Sequence, residues 1–266
     1  MKITSTLIAA LKLAQLKTLS LSWSVLLLAS AVYLAGPLTA QAQNVRLHGA
    51  LTLSKLIAEQ KTTLETQTGL KLEVIGNGSG RGLSDLAGGQ ADIALLSGSL
   101  QGVAKAVNQE KPGSLNTDGL QGVSLGSVKL LLVVNPAAGV KSVTAAQARD
   151  IFTGKVANWK DVGGADQPVK VVLPVAGDGA RVTVQEQLLN GVDFIASAII
   201  RNSSKDIAPV IGQLPGSISF LSEKNATGLS VLACDQEVQM PSLLVTKGEP
   251  AGDVKKVVEA LKQIIK

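Results

Sequence analysis

Two glycine-rich turns carry the residue types that could bind an anion. The first, residues 76–82, places Ser79 and Arg81 between glycines, and the second, residues 177–181, places Asp178 between two glycines. In each turn a predicted strand precedes the glycines and a predicted helix follows them. The beginning of a helix has unpaired N–H groups and a partial positive charge, and glycine lets a ligand approach the backbone closely. The pattern therefore indicates anion binding at a helix N-terminus.

Neither turn is a nucleotide-binding motif. No Gly-Lys-Ser/Thr follows either turn, as a P-loop requires. Arg81 stands where a G-x-G-x-x-G motif that begins at Gly76 needs its third glycine. On pattern alone, the two turns fit an anion site and an ordinary strand–helix connection equally well. Arg81 and Arg181 could contact a bound anion or solvent.

Other reactive residue types are few. His48 is the single histidine and Cys234 the single cysteine, so a disulfide within the chain is excluded. A histidine-based metal site or a Ser-His-Asp triad would depend on His48 alone, which could line the mouth of a pocket or lie in a plain loop. Asp85 and Asp161 fit solvated positions, and Asp178 fits a helix N-cap. We therefore expect no enzyme, no catalytic residues, no metal and no cofactor.

Residues 1–42 have the pattern of a cleavable signal peptide. Three lysines precede an apolar run at residues 23–36, and Ala40 and Ala42 form the small-x-small pattern of a signal peptidase site. The run is shorter than the about 20 apolar residues of a membrane span, and a retained N-terminal anchor is the alternative. No cysteine follows the segment that could carry a lipid anchor. The predicted location is the periplasm.

The charge of the chain argues against nucleic acid as a partner. The 266 residues include 25 Lys and Arg and 20 Asp and Glu, of which residues 1–42 hold three lysines and no acid, so the remainder has a net charge of +2. Basic residues are scattered, and aromatic residues are only 2% of the chain. A nucleic-acid-binding surface normally concentrates both types.

Strands and helices alternate along the rest of the sequence, which predicts an α/β fold with largely parallel sheets. Continuous apolar runs at residues 127–135 and 169–175 indicate strands that are buried on both faces. Because both glycine turns connect a strand to a helix, we expect two lobes that each present a helix N-terminus. Further expectations are one helix over residues 53–64, a capping box at Thr144 and Gln147, a surface turn at 153–164, a helix at 193–200, a buried strand at 230–236, and an N-cap at Asp253.

Four segments follow the order of motifs in one protein family. Residues 76–98 (GNGSGRGLSDLAGGQADIALLSG) match a G-x-G-S-G-x-G…G-x-x-D-I-A-x-x-S signature, and residues 151–164 (IFTGKVANWKDVGG) are similar to IFTGKITNWKDLGG. Residues 177–189 and 214–222 are similar to an S-G-T-R-x-x-F turn and a P-G-A-I-G-Y segment. After residue 42, essentially the whole chain resembles the phosphate-binding-type periplasmic solute receptors.

This resemblance implies a two-lobed type II periplasmic binding protein fold with a central cleft and a two-strand hinge near residues 127–134 and 217–221. Lobe I would comprise residues 43–126 and 222–266, and lobe II residues 127–221. Receptors of this kind close on an oxyanion, which binds to helix N-termini and hydroxyl loops. The ligand-binding residues carried over by position are Thr52, Gly78, Ser79, Gly80, Arg81 and Ser97 in lobe I, and Asp178, Gly179 and Ala180 in lobe II, with Arg181 behind them.

The chain departs from the family pattern inside the expected site. Hydroxyl residues are missing at residues 50–51, and Pro174 stands where an arginine often supplies charge. Gly98 occupies the position of an acidic residue that accepts the proton of hydrogen phosphate, and Asp178 and Ala180 replace a serine and a threonine. Asp178 could take over the lost proton acceptor, cap its own helix and face away, or mark a ligand other than phosphate.

The resemblance implies a periplasmic solute-binding protein that captures phosphate or a related small oxyanion. It would pass the ligand to the membrane subunits of an ABC importer and act as a monomer. The missing donors favour an alternative, a non-transport sensor or scaffold of the same fold with an altered or lost anion site. A hydrolase could use only His48 and scattered acidic residues.

Overall fold

The computed structural model describes residues 44–265, so the predicted signal peptide lies outside the described residues. Within this range the strands are β1 (Asn44–Gly49), β2 (Lys71–Gly76), β3 (Ile93–Ser97), β4 (Leu120–Val134), β5 (Ser142–Val143), β6 (Lys170–Pro174), β7 (Ile199–Arg201), β8 (Ser217–Ser222), β9 (Ser230–Cys234) and β10 (Val238–Lys247). The α-helices are α1 (Leu51–Glu59), α2 (Lys61–Thr68), α3 (Ser79–Ala87), α4 (Leu100–Glu110), α5 (Ala145–Thr153), α6 (Gly179–Gln187), α7 (Ile207–Gln213) and α8 (Gly252–Ile264).

The main strands form one sheet in the order β2-β1-β3-β10-β4-β8-β6-β7. Strands β1, β2 and β3 pair in parallel at one end, and β6, β7 and β8 pair in parallel at the other. Between them, β10 is antiparallel to β3 and β4, and β4 is antiparallel to β8. The sheet is therefore mixed, and the predicted parallel pairing holds within each end.

The first half of the molecule, around β1–β3, has a helical layer on each face of the sheet. Ile93 and Leu95 pack with residues of α1, α2 and α8 on one face. The alternate residues Ala94 and Leu96 pack with α3 and α4 on the other face. This burial on both faces explains the uninterrupted apolar sequence of β3.

The second half, around β6 and β8, repeats this arrangement. Val171, Leu173 and residues of α5 and α6 share a cluster that contains Phe152 and Phe220. On the opposite face, Val172 packs against Ile207 and Ile211 of α7, a helix that the sequence analysis did not predict. In both halves, the parallel strands end at the edge where the glycine turns lie.

Two long strands, β4 and β10, contribute to both halves. The end of β4 supplies Leu132 to the second core, whereas Val123 near its beginning packs against the first. In β10, Val238 belongs to the second core and Leu244 to the first, and the pairing with β4 is irregular between Pro241 and Leu243. The predicted first crossing strand is therefore found in β4. The predicted second crossing strand, residues 217–221, lies within β8, which among residues 44–265 pairs with β4 and β6 inside the second half and does not cross.

The predicted helix at residues 193–200 is wrong. Ile199 and Ile200 belong to β7 and pair in parallel with β6. Phe194 lies before the strand and packs edge-to-face on Phe152, with ring centroids 6.0 Å apart. Helix α6 has already ended at Gln187, and Asn190 and Gly191 after it both have positive φ. Phe194 is buried by this tertiary contact, whereas Ile200 is exposed, so the apolar residues do not form one buried helical face.

Smaller expectations had mixed outcomes. The capping box at Thr144 and Gln147 is confirmed. The helix expected over residues 53–64 is broken at Gln60, and Asp253 lies in the first turn of α8 without capping it. In the predicted surface turn, Trp159 is fully buried and donates its indole N–H to the Gly216 carbonyl oxygen at 2.9 Å.

Among residues 44–265, no helix is both long enough and apolar enough to cross a membrane.

Candidate functional site

A cleft of about 870 Å³ lies where the two glycine turns meet. Its lining includes nine of the ten residues predicted to bind a ligand, and the exception is Arg181. Both turns follow the carboxyl ends of parallel strands, β2 and β6, which is the usual place for ligands in α/β sheets. The cleft lining contributed by the predicted residues is Thr52, Gly78, Ser79, Gly80, Arg81, Ser97, Asp178, Gly179 and Ala180.

Helix α3 presents an uncapped N-terminus to this cleft. Its N-cap is Gly78, with φ 95°, and no side chain bonds to the first amide groups. The Ser79 hydroxyl is engaged elsewhere, because it accepts from the Ser97 N–H at 3.1 Å and donates to the Ser97 carbonyl oxygen at 3.2 Å. These bonds fix α3 against the end of β3. The amide groups at the beginning of α3 are therefore held in one orientation, in which they face the polar cleft.

Helix α1 contributes a second uncapped N-terminus. Its N-cap is Ala50, which has no side chain that can accept a hydrogen bond. Ala50, Leu51 and Thr52 all line the cleft, and Thr52 adds an exposed hydroxyl group. Since each uncapped helix start leaves several N–H groups without an intrahelical partner, α1 and α3 together give this wall the character of an anion site.

The opposite wall differs, because Asp178 caps its own helix, α6. The Asp178 Oδ1 atom accepts from the Ala180 N–H at 2.9 Å and from the Arg181 N–H at 3.5 Å. Burial raises the pKa of the Asp178 carboxyl, and the two amide bonds oppose that shift. The capping alternative for Asp178 is thus confirmed. Asp178 nevertheless lines the cleft and does not face away from it.

Arg181 lies behind this wall, as expected. Its guanidinium group donates to the Pro174 carbonyl oxygen at 3.0 Å and lies 5.5 Å from the centroid of the Phe194 ring. These contacts orient Arg181 toward the second core and away from the cleft lining. Its charge can act on a ligand only at a distance.

The two walls touch through glycines. A β-carbon added to Gly179 would lie 1.8 Å from the Ser97 carbonyl oxygen, and one added to Gly98 would lie 3.2 Å from the Gly179 α-carbon. Beside them, the Ser99 hydroxyl donates to the Glu186 carboxylate of α6 at 2.8 Å. The absence of side chains at Gly98 and Gly179 allows α6 to pack directly on the turn after β3.

His48 does not lie at the mouth of the cleft. It is buried in β1, and its Nδ1 atom is 2.8 Å from Asp85 Oδ2. Asp85 is therefore not solvated, and the same oxygen accepts from the Asn77 side chain at 2.8 Å. Because Asn77 lines the cleft, the pair of His48 and Asp85 helps to hold the first glycine turn in place.

Several cleft residues were missed by the sequence analysis. The polar segment after β7, residues 202–205, lines the cleft beside Asp178, and its Ser204 hydroxyl lies 3.4 Å from both carboxylate oxygens. This segment was not predicted because residues 193–200 were assigned to a helix, so the carboxyl end of β7 was not recognised. The cationic residues that line the cleft are Arg81, Lys111 and Lys205, and the acidic ones are Glu110 and Asp178.

In residues 44–265, no group of three or more His, Cys, Asp or Glu side chains is placed to hold a metal ion.

A family match agrees with this architecture. Residues 35–262 match the model of the PBP superfamily domain. The chain belongs to the PBP superfamily. Within the superfamily the chain is 30% identical over 236 residues to the phosphate-binding protein PstS of Bacillus subtilis (strain 168). This alignment covers 80% of this chain and 75% of PstS. The resemblance to phosphate-type periplasmic binding proteins is thereby confirmed.

Solved structures of the PBP superfamily share the fold. An ABC-type phosphate transport receptor from Vibrio cholerae matches with a TM-score of 0.65 and 22% identity, over 82% of this chain and 93% of that chain. A Clostridium perfringens protein with bound phosphate, assigned as a phosphate ABC transporter substrate-binding protein, matches with a TM-score of 0.66 and 23% identity, over 84% of this chain and 93% of that chain. The two-lobed α/β fold is confirmed, and these relatives are binding proteins and not enzymes.

Proposed function

We propose that the protein captures phosphate, or a closely related small oxyanion, in this cleft. The observation that carries the proposal is the meeting of two uncapped helix N-termini, α1 and α3, beside Arg81. Helix N-termini bind anions through their amide hydrogens and their partial positive charge. The 30% identity to PstS, over three quarters of that protein, supports phosphate as the anion.

The proposed binding residues fall into two groups. Thr52, Gly78, Ser79, Gly80, Arg81 and Ser97 form the first wall, in which backbone amides, the Thr52 hydroxyl and the Arg81 guanidinium group bind the ligand. Asp178, Gly179 and Ala180 form the second wall. Arg181 supports that wall from behind, through its bond to the Pro174 carbonyl oxygen.

The proposed lobes correspond to the two halves of the sheet, and β4 and β10 connect them as the hinge. The packing of Val238 in the second core and Leu244 in the first supports a boundary near Pro241, in place of the boundary expected at residue 222. The contact of Gly179 with Ser97 is the contact expected of the closed state, in which water is excluded from the anion.

In this proposal residues 1–42 direct secretion, and the mature protein works as a monomer in the periplasm. It would deliver the anion to the membrane subunits of an ABC importer. One observation favours the alternative, a sensor or scaffold of the same fold: the capped beginning of α6 reduces the number of donors in the cleft.

Thermal unfolding of residues 43–266 with added anions tests the proposal. The protein is first dialysed free of phosphate, and phosphate, arsenate, sulfate and small carboxylates are then titrated in separate samples. Phosphate at 100 times its Kd is expected to stabilise the fold by about 2.7 kcal/mol, which corresponds to about 5–10 °C in Tm for a domain of this size. Sulfate is expected to shift the Tm less.

The absence of any shift with phosphate and arsenate, up to millimolar concentration, would contradict the proposal. A shift with a carboxylate alone would favour the sensor alternative. A matched control is the same titration with chloride at equal ionic strength, because salt screening by itself changes the Tm of a charged protein.

A further inference from the structure

The two walls of the cleft differ in whether their helix amides are free. At the beginnings of α1 and α3, no side chain occupies the amide hydrogens. At the beginning of α6, the Asp178 carboxylate occupies them. We infer that the Asp178 carboxylate competes with the bound anion for the amide hydrogens at the beginning of α6, and so lowers the affinity of the cleft. This inference rests on the proposed function.

The Asp178 carboxylate contacts two backbone amides and one hydroxyl group on that wall. Its Oδ1 atom is 2.9 Å from the Ala180 nitrogen and 3.5 Å from the Arg181 nitrogen. The Ser204 hydroxyl lies 3.4 Å from Oδ1 and from Oδ2. An anion that binds at this helix start would need the same hydrogens. The Asp178 carboxylate therefore uses hydrogen-bond donors that a bound anion would otherwise use.

This carboxylate has no direct ion-pair partner among the described residues, although the nearby charge of Arg181 acts to lower the pKa of Asp178. Within residues 44–265, no lysine or arginine nitrogen lies within 4.0 Å of Asp178. Arg181, the nearest candidate along the chain, binds the Pro174 carbonyl oxygen and the Phe194 ring. Burial also raises the pKa of the carboxyl, so its charged form is disfavoured before any ligand enters. An anion in the cleft would add repulsion between like charges.

The geometry determines which helix amides an anion can contact without moving a side chain. The ligand can contact the free amides of α1 and α3 without displacing any side chain. Contact with the amides of α6 requires the carboxylate to rotate away or to take up a proton. Removal of the charge at residue 178 should therefore tighten binding of any oxyanion, whether or not the ligand carries a proton.

Calorimetric titration of the parent and three variants tests this inference with phosphate and with sulfate. Asp178→Asn keeps the size and a capping oxygen but removes the charge, since asparagine is also a good N-cap. Asp178→Gly removes the side chain and leaves the amides of α6 free at small cost in stability, since glycine is also accepted at N-caps, and it serves as the second variant. The matched control is Asp253→Asn, at the beginning of α8, where the aspartate pairs with Lys256 at 2.7 Å on an exposed face.

Both residue-178 variants are expected to bind phosphate and sulfate about tenfold or more tightly than the parent, given the cost of opposed like charges. The control variant should match the parent. Weaker phosphate binding by both variants, with sulfate binding gained, would overturn the inference, because Asp178 would then accept a proton from the ligand. Unchanged affinity for both anions would overturn it as well.

Failure of the proposed function would look different. If neither the parent nor the variants bind phosphate or sulfate, the proposed function fails and this inference falls with it. If only the neutral residue-178 variants bind, the Asp178 carboxylate prevents anion binding in the parent protein, and the inference is supported.

Discussion

Replacing Gly179 by alanine is expected to weaken phosphate binding about a hundredfold while the protein stays folded. The added β-carbon would lie 1.8 Å from the Ser97 carbonyl oxygen, and backbone atoms there cannot rotate away. Alanine is otherwise suited to the first turn of α6, because Gly179 does not have a positive φ. The clash therefore raises the free energy of the closed state, in which the two walls touch. The phosphate affinity falls because this state is then less populated.

The matched control for this variant is Gly212→Ala in α7. Gly212 also lies in a helix without a positive φ, and nothing lies within 4 Å of an added β-carbon. This control should bind phosphate like the parent. Both affinities can be measured by calorimetry, with Tm as the check on folding. An unchanged affinity in Gly179→Ala would mean that α6 does not approach Ser97 in the bound state.

Replacing Arg81 by glutamate is expected to reduce phosphate affinity about a hundredfold or more, because a like charge then faces the anion. Arg81 is exposed on α3 and lines the cleft beside the uncapped amides. The change therefore alters the charge of the site with little effect on the core. The loss should grow at low ionic strength, since screening between exposed charges is weaker there.

The matched control for the charge reversal is Lys141→Glu. Lys141 is exposed and does not line the cleft, and the substitution changes the net charge of the protein by the same amount. Equal losses in the two variants would show that only overall charge matters. That result would contradict a specific role for Arg81 at the beginning of α3.

Local signals allowed the beginnings of α3 and α6 to be predicted from the sequence. Glycines at residues 76–82 and 177–179 lie between an apolar strand and a helix, so the position of each helix N-terminus could be inferred from neighbouring residues. The cap made by Asp178 is equally local, because its oxygen reaches amides two and three residues ahead. Contacts between residues a few positions apart in the sequence can be predicted without knowledge of the tertiary fold.

Features that depend on distant residues were not predictable in the same way. His48 and Asp85 are 37 positions apart in the sequence, and only the packing of α3 on β1 brings them within 2.8 Å. The crossing role of β10 was missed because it depends on pairing with β4, more than 100 residues earlier. Residues 202–205 were missed because the preceding strand, β7, was taken for a helix. Had β7 been recognised, a polar segment at its carboxyl end would have been expected to line the cleft.

The most direct test of the account is a crystal structure of residues 43–266 grown with phosphate. We expect one tetrahedral anion in the cleft, with oxygens about 2.7–3.2 Å from amide nitrogens at the beginnings of α1 and α3. Its position should lie beside Arg81 and between the two glycine turns. An anion bound elsewhere, or a cleft without an anion at millimolar phosphate, would contradict the claim that these helix N-termini form the binding site.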